Sequence, residues 1–320
     1  MPSRLSFYDA HPRAADLREE VLAGLRRRPR AIPPKFFYDA EGSRLFDAIT
    51  ETPEYYPTRT EIGILKANCA AIAARVGAAC LLVEPGSGSC EKVRLLLEGL
   101  RPVAYVPLDI SRDHLELASG RVAAEFPWLE VHAACADFTQ LLELPFTAPD
   151  APRVAFFPGS SIGNFDPAGA VAFLADVAAL VGQGGNLLIG VDLKKDAAVL
   201  DAAYNDAQGV TAAFNLNLLA RINRDLGADF DLATFRHHAF YNAALGRVEM
   251  HLLSQRRQTV HLAGESFDFE AGEGIHTENS YKYSIEEFQA LARRAAFEPA
   301  EVWTDPARLF SVHLLTVAER

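Results

Sequence analysis

The sequence is poor in several things that would each define a class. It holds four cysteines in 320 residues, Cys69, Cys80, Cys90 and Cys135. They are scattered, with no C-x-x-C pair and no histidine spaced to complete a zinc site. A disulfide framework is therefore not expected, and inert thiols in a reducing cytoplasm are. Positive charge is in deficit. A formal net charge of −11 argues against a nucleic-acid partner, because phosphate binding needs clustered Lys and Arg. The one basic cluster, Arg26-Arg27-Arg28 with Arg30, reads as a solvated helix end beside a C-terminal dipole. No apolar run reaches the ~18 residues of a membrane span. The opening MPSRLSFYDAHPRAADLREE is charged and lacks the apolar centre of a secretory signal. Internal repeats and low-complexity segments are also missing. What remains is a cytoplasmic protein with no membrane partner, long enough for one large domain or two modest ones.

Its pattern is more telling. Residues 13–28 carry apolar positions at helical spacing. RAIPPKFFYDAEGSRLF is rich in proline and aromatics and is expected to be an ordered loop. TRTEIGILKANCAAIAARVG reads as a helix capped by Thr58. From residue 79 short apolar runs (CLLVE, VAYVPLD, LEVHAAC, RVAFFPG, NLLIGVDL) alternate with amphipathic stretches at 89–100, 112–125, 137–143 and 167–181. Buried strands alternating with helices predict a parallel sheet covered on both faces. After Leu193 the rhythm breaks. Residues 195–225 look helical, 235–262 look like antiparallel strands with a hairpin near Gly246, SIEEFQALARRAAF is a helix, and two strands end the chain. The fold expected is a doubly wound α/β core at 61–193 plus 284–320. A second lobe is expected from 1–60 plus 194–283.

The run LLVEPGSGSCEK ends an apolar strand on an acid and continues into a glycine turn. A P-loop would need G-x-x-x-x-G-K-[ST], and Lys92 sits between Glu91 and Val93, so that reading fails. A dinucleotide fingerprint needs a third glycine, where this chain has Glu91. An acid in the first turn of the following helix is poorly placed for a pyrophosphate. S-adenosylmethionine carries no phosphate but has a sulfonium and an amino-acid tail, so a carboxylate at the strand end is welcome: Glu84 supplies the acid for the cofactor, and Gly86 and Gly88 a turn whose backbone permits close approach. Asp109 ends the next apolar run, 25 positions on (109 − 84), where an acid can take both ribose hydroxyls. Asp137 ends the third and can accept from an adenine amino group, with Phe138 against the ring. Asp137 reads as readily as a helix cap and Phe138 as core. Three acids at three successive strand ends nonetheless fall where ligands of such sheets collect.

At this point the motifs resemble a known family, the S-adenosylmethionine-dependent histidine Nα-methyltransferases of ergothioneine biosynthesis, whose product is the betaine hercynine. The matching segments are PPKFFYDAEGSRLFDAITETPEYYPTRTE, VEPGSGSCEKVRLLL, PGSSIGNFDP, GVDLKKD, AYNDAQGVTAAFNLNLL and HTENSYKY. They span about residues 15 to 310, and EYYPTRTE and GSSIGNF are far more specific than a bare glycine loop. The resemblance implies a Rossmann-like class I methyltransferase core, a mostly parallel doubly wound sheet, with a second substrate-binding lobe. It implies cofactor contacts at Gly86, Lys92, Asp109, Asp137 and Phe138. Substrate contacts fall on Tyr55, Asn164, Tyr204, Glu278 and Ser280, with Tyr38, Gly159 and Met250 lining the pocket. Asn164 and Tyr38 are the candidates for handling the proton of the amine. Methyl transfer from a sulfonium needs no metal, and none is expected; a monomer is.

Plainer readings stand beside these. Glu278 can pair with Lys282 on a turn. Met250 can be a core filler, His276 structural, the Lys194-Lys195 pair solvated, and Asp192 a loop cap. Three rivals also remain: a relative acting on another amino acid or aromatic amine, a catalytically silent protein that binds histidine or the cofactor, and, more remotely, a nicotinamide oxidoreductase.

Overall fold

The computed structural model describes residues 4–9, 14–137, 144 and 146–318. In chain order the strands and helices are β1 (Leu5–Asp9), α1 (Ala14–Arg26), β2 (Arg30–Ala31), α2 (Ala40–Thr50), α3 (Tyr56–Val76), β3 (Leu81–Pro85), α4 (Arg94–Leu100), β4 (Ala104–Asp109), α5 (Arg112–Glu125), β5 (Val131–Cys135) and β6 (Arg153–Phe157). They continue with α6 (Pro167–Val181), β7 (Asn186–Asp192), α7 (Ala197–Ala203), α8 (Val210–Leu226), β8 (Phe235–Asn242), β9 (Arg247–Ser254), β10 (Gln258–Leu262), β11 (Glu265–Phe269), β12 (Gly274–Tyr281), α9 (Ile285–Arg293), β13 (Phe297–Thr304) and β14 (Phe310–Val317). They group into two compact units. One comprises Met1–His11, Pro57–Lys194 and Tyr281–Arg320; the other comprises Pro12–Tyr56 and Lys195–Ser280.

The first unit carries an eight-stranded sheet in the order β1-β5-β4-β3-β6-β7-β14-β13. Strands β1 through β7 in that order pair parallel, and β14 runs antiparallel to both its neighbours. The sheet is buried on both faces, so its strands read as continuous apolar runs. Alternate residues still go to opposite sides. Val154 and Phe156 pack with Ile64, Leu65 and Ile72 of α3 and Leu96, Leu97 and Leu100 of α4. Ala155 and Phe157 pack with Phe173, Leu174 and Val177 of α6 and Phe288 and Leu291 of α9. The strand order reverses between β3 and β6, and ligands of open α/β sheets bind at such a switch point.

The second unit is built on a four-stranded sheet, β2-β12-β9-β8, with a separate β10–β11 hairpin. β8 and β9 form the hairpin expected around Gly246, which sits at φ 66°. Its core is aromatic: Phe37 and Phe214 stand 4.5 Å apart, and Phe235 and Phe269 meet edge-on at 5.5 Å.

Several local expectations are corrected. The first residues group with the sheet-bearing unit, because Leu5–Asp9 adds a parallel edge strand to β5. The segment around PPKFFYDAEGSRLF is not a loop: a 3₁₀ turn at Pro34–Phe37 leads to α2, capped by Asp39, which accepts from the Gly42 amide at 2.7 Å. Thr58 lies inside α3, not at its cap, since the helix starts at Tyr56 with Pro57 in its first turn, where the missing N–H costs nothing. Arg30 is not solvated. It is 1% exposed, lies 4.3 Å over the Phe269 ring, and pairs with Glu273 at 3.0 Å. The helical stretch expected at 137–143 falls almost wholly outside the described residues.

Candidate functional site

Strand β3 delivers the glycine turn to the switch point. Gly86 and Gly88 take φ of 66° and 51°, the left-handed region where only glycine is unstrained. The Ser87 amide donates to the Leu108 carbonyl at 3.0 Å, which ties the turn to β4. The register places Pro85 opposite Leu108, so Asp109 is level with the turn. Its carboxylate accepts from the Gly88 amide at 2.8 Å and the Ser111 amide at 2.9 Å, one on each oxygen. Burial raises its pKa, opposed by those amides. A carboxylate offers about four lone-pair sites, and the Gly88 and Ser111 amides take two of them. Asp137, two residues past β5, is buried. Phe138 lies outside the described residues.

Glu84 behaves differently from a ligand-facing anion. It is 1% exposed and receives the Tyr105 hydroxyl. Burial pushes its carboxyl up to about 8, against the pull of Tyr105 and Lys92. Glu91 also departs from expectation. Helix α4 starts at Arg94, so Glu91 stands exposed on the turn before it and does not face a helix N-terminus. The objection to a pyrophosphate therefore cannot rest on Glu91. It rests on the rest of the donor set: the turn's one lysine, Lys92, is neutralised by Glu61 at 2.6 Å. The turn has room for a ligand. Among the described residues a Cβ on Gly88 would meet nothing within 4 Å, and the buried Ser87 hydroxyl has no hydrogen-bond partner. These residues fit a phosphate-free nucleoside carrying an amino-acid tail.

The loop after β6 completes this edge. Gly159, at φ 83°, donates its amide to Glu61, 2.9 and 3.1 Å from the two oxygens. Ser160 accepts from the Asp192 amide through its hydroxyl at 2.9 Å. Asn164 ends the 3₁₀ turn Ser161–Asn164, half-buried. Asp192 and Lys282 form a fully buried ion pair at 2.7 Å. Lys282 thus has a buried partner in Asp192.

In the second unit the sequence candidates converge on an aromatic cluster. Tyr55 and Tyr204 are buried with rings 6.3 Å apart. Tyr38 packs edge-on against Phe46 at 5.8 Å, and Phe46 against Tyr55 at 6.4 Å. The Tyr204 hydroxyl donates to Ser280 Oγ at 2.7 Å. Glu278 is half-buried on the same strand as Ser280, and Met250 is buried on β9. A network unread in the sequence fixes this cluster. His237 meets the Tyr204 carbonyl with Nε2 at 2.9 Å and the Asn215 amide with Nδ1, also at 2.9 Å. A carbonyl only accepts and an amide nitrogen only donates, so His237 is the neutral Nε2–H tautomer. Burial, which lowers its pKa, agrees. Asn215 then accepts from Thr277 at 2.8 Å, and Thr277 also donates to the Met250 carbonyl at 3.1 Å. Glu61 and His237 had one signal each: Glu61 closes EYYPTRTE, and His237 alternates with the apolar Phe235 and Ala239 on the inward face of β8.

The strand order, with an antiparallel last strand inserted in an otherwise parallel sheet, and the glycine turn facing an acid on the neighbouring strand end define a Rossmann-like class I methyltransferase. More narrowly, the chain belongs to the histidine-specific, SAM-dependent methyltransferase family, which it matches over residues 17–317. It is 44% identical over 322 aligned positions to a histidine N-alpha-methyltransferase of Mycolicibacterium smegmatis, covering 98% of this chain and 99% of that protein. With the histidine N-alpha-methyltransferase of Mycobacterium tuberculosis the identity is 43%, covering 93% and 94%. With ergothioneine biosynthesis protein 1 of Neurospora crassa it is 31%, covering 94% of this chain and 35% of the longer protein.

Proposed function

We propose that this protein transfers three methyl groups from S-adenosylmethionine to the α-amine of L-histidine, giving hercynine, a step in ergothioneine biosynthesis. The observation that carries this reading is the full-length likeness to two histidine N-alpha-methyltransferases. The buried Tyr204–Ser280 pair, on the unit that also holds Glu278, supports it.

Asp109, Asp137 and the Gly86–Gly88 turn hold the nucleoside in this reading, and Phe138 is assigned to the adenine ring. Lys92 serves the amino-acid tail, and Glu84 stiffens the turn from beneath through Tyr105. Bound S-adenosylmethionine supplies a methyl group already activated for attack by an amine. The protein's own task is to hold that amine unprotonated and oriented. A free α-amino group has a pKa near ~8, so an acceptor at the amine shifts the balance towards the neutral form; Asn164 and Tyr38 are assigned that role. Asn164 takes the substrate carboxylate through its amide N–H, and Tyr204, whose one hydroxyl proton goes to Ser280, contacts the substrate with its ring. A Ser280 hydroxyl that accepts from Tyr204 is oriented to donate its own proton onward, and Glu278 accepts, so the pair suits the two nitrogens of an imidazole. Gly159 and Met250 shape the wall. The faces of Tyr38, Tyr55 and Tyr204 tolerate the growing positive charge of the methylated amine. The described residues contain no helix long and apolar enough to cross a membrane, and the four cysteines are free, which supports a cytoplasmic setting.

The test is a product analysis. Purified protein, S-adenosylmethionine and the twenty amino acids are incubated together and the mixture is read by mass spectrometry. Trimethylated histidine as the dominant product is expected. Methylation of another amino acid, or of none, overturns the reading.

A further inference from the structure

We infer that Glu249, His251 and His276 form a binding site for a divalent transition metal ion of the zinc class, on the face of the β9–β12 sheet opposite α8. Each offers one ligand atom, and the three atoms lie within 4.8 Å of one another. Tetrahedral ligands on zinc stand roughly 3.3 Å apart. Glu249 Oε2 and His251 Nε2 are already 3.0 Å apart, and the His251 and His276 rings stack at 4.7 Å with an 18° tilt. A side-chain shift on the order of 1 Å at His276 closes the set.

The surroundings are those of an oriented site. Arg247 and Asn242 both bind Glu249 through Oε1, at 2.9 and 3.1 Å, which leaves Oε2 turned to His251. His276 donates its Nε2–H to the Glu278 carbonyl at 3.0 Å, so its Nδ1 carries the lone pair. Fixing the tautomer through the second nitrogen is how metal-binding imidazoles are usually held. Phe240 stacks on His251 at 5.8 Å and walls one side. Burial keeps both imidazoles neutral by lowering their pKa values. Burial works against ionisation of Glu249, yet the Arg247 and His251 hydrogen bonds outweigh it and hold the carboxyl below its ordinary value. One anionic and two neutral donors suit zinc, with a fourth place left for water. In the absence of metal the His251 Nε2–H donates to Glu249. The ion replaces that proton, which leaves Nε2 for solvent while Nδ1 takes one up, so no net proton is released.

Tag-free protein stripped with a chelator is titrated with Zn²⁺ by calorimetry and with Co²⁺ by visible absorption, and His251→Gln and His276→Gln variants are titrated alongside. We expect one ion per chain, tetrahedral Co²⁺ bands, and at least ~10-fold weaker binding in each variant. Circular dichroism checks that the variants fold. For any that do not, wild-type protein is treated with diethyl pyrocarbonate, and Zn²⁺ should protect His251 and His276 from modification. No binding to wild type, binding unchanged in folded variants, or no protection overturns the inference.

Discussion

Gly190 lies directly beneath Glu61: a Cβ added at Gly190 would sit 1.9 Å from Glu61 Oε1. The carboxylate is fully buried and is held by the Gly159 amide and the Lys92 ammonium. A buried charge is tolerable only when so paired. The missing side chain at Gly190 is therefore what lets α3 place an anion under the β6 loop.

Gly190→Ala is expected to destabilise the protein by about 1–3 kcal/mol, the usual cost of overpacking. Glu61 is displaced from Gly159 and Lys92, so activity falls with it. Urea unfolding reads the stability change. A variant as stable as wild type would mean that the carboxylate moves aside at no cost.

Asp109→Ala should weaken binding of S-adenosylhomocysteine by ~100-fold or more, since two charge-assisted hydrogen bonds are each worth roughly 1.5–3 kcal/mol. Calorimetry on protein shown to be folded decides it. Unchanged affinity removes Asp109 from the site, and with it the reading of the β3–β4 edge.

Much of this edge was legible in advance, because a parallel strand buried on both faces leaves an apolar run that ends on the residue it presents. Glu84 and Asp109 announce themselves that way. Partners that meet across the fold do not. Lys282 has Glu278 four positions away, yet its partner Asp192 lies ninety positions back (282 − 192). The Glu249-x-His251 spacing puts two side chains on one face of a strand, but His276 joins them only through the pairing of β12 in the sheet, and no linear spacing encodes it. Arg30 looks solvated beside its basic neighbours until Phe267 and Phe269 arrive over it from β11.

Glu84 sets a pH dependence. Its folded pKa, pushed up to about 8 by burial, lies above the ordinary ~4.3 of the unfolded chain. Between these values the folded state binds more protons than the unfolded one, so this group's contribution to stability falls as pH rises from about 4.5 to 8. Glu84→Gln should remove that slope. Denaturant unfolding at pH 5 and pH 8 should show wild type losing more stability than the variant, by a few kcal/mol at most. Equal losses would place the titration elsewhere.

Glu278→Ala should lower kcat/KM for histidine by about 10²-fold, from ~2–3 kcal/mol for a hydrogen bond to a charged group. An imidazole offers an N–H to the carboxylate, whereas a phenyl ring offers none and would leave that charge unpaired. Phenylalanine should therefore lose little, or gain from the space opened, and tryptophan, whose larger indole has a single N–H, should fall between the two. Glu278→Gln keeps an acceptor and should fall between wild type and alanine for histidine. The main chain at this position is held independently, because His276 donates to the Glu278 carbonyl. Truncating the side chain should thus leave β12 in place, which unchanged thermal unfolding would confirm. Initial rates for the three amino acids, wild type against both variants, carry the test. Equal fractional losses for all three would mean that Glu278 supports the strand and does not read the substrate, and histidine selectivity would then have to come from Ser280 and Tyr204.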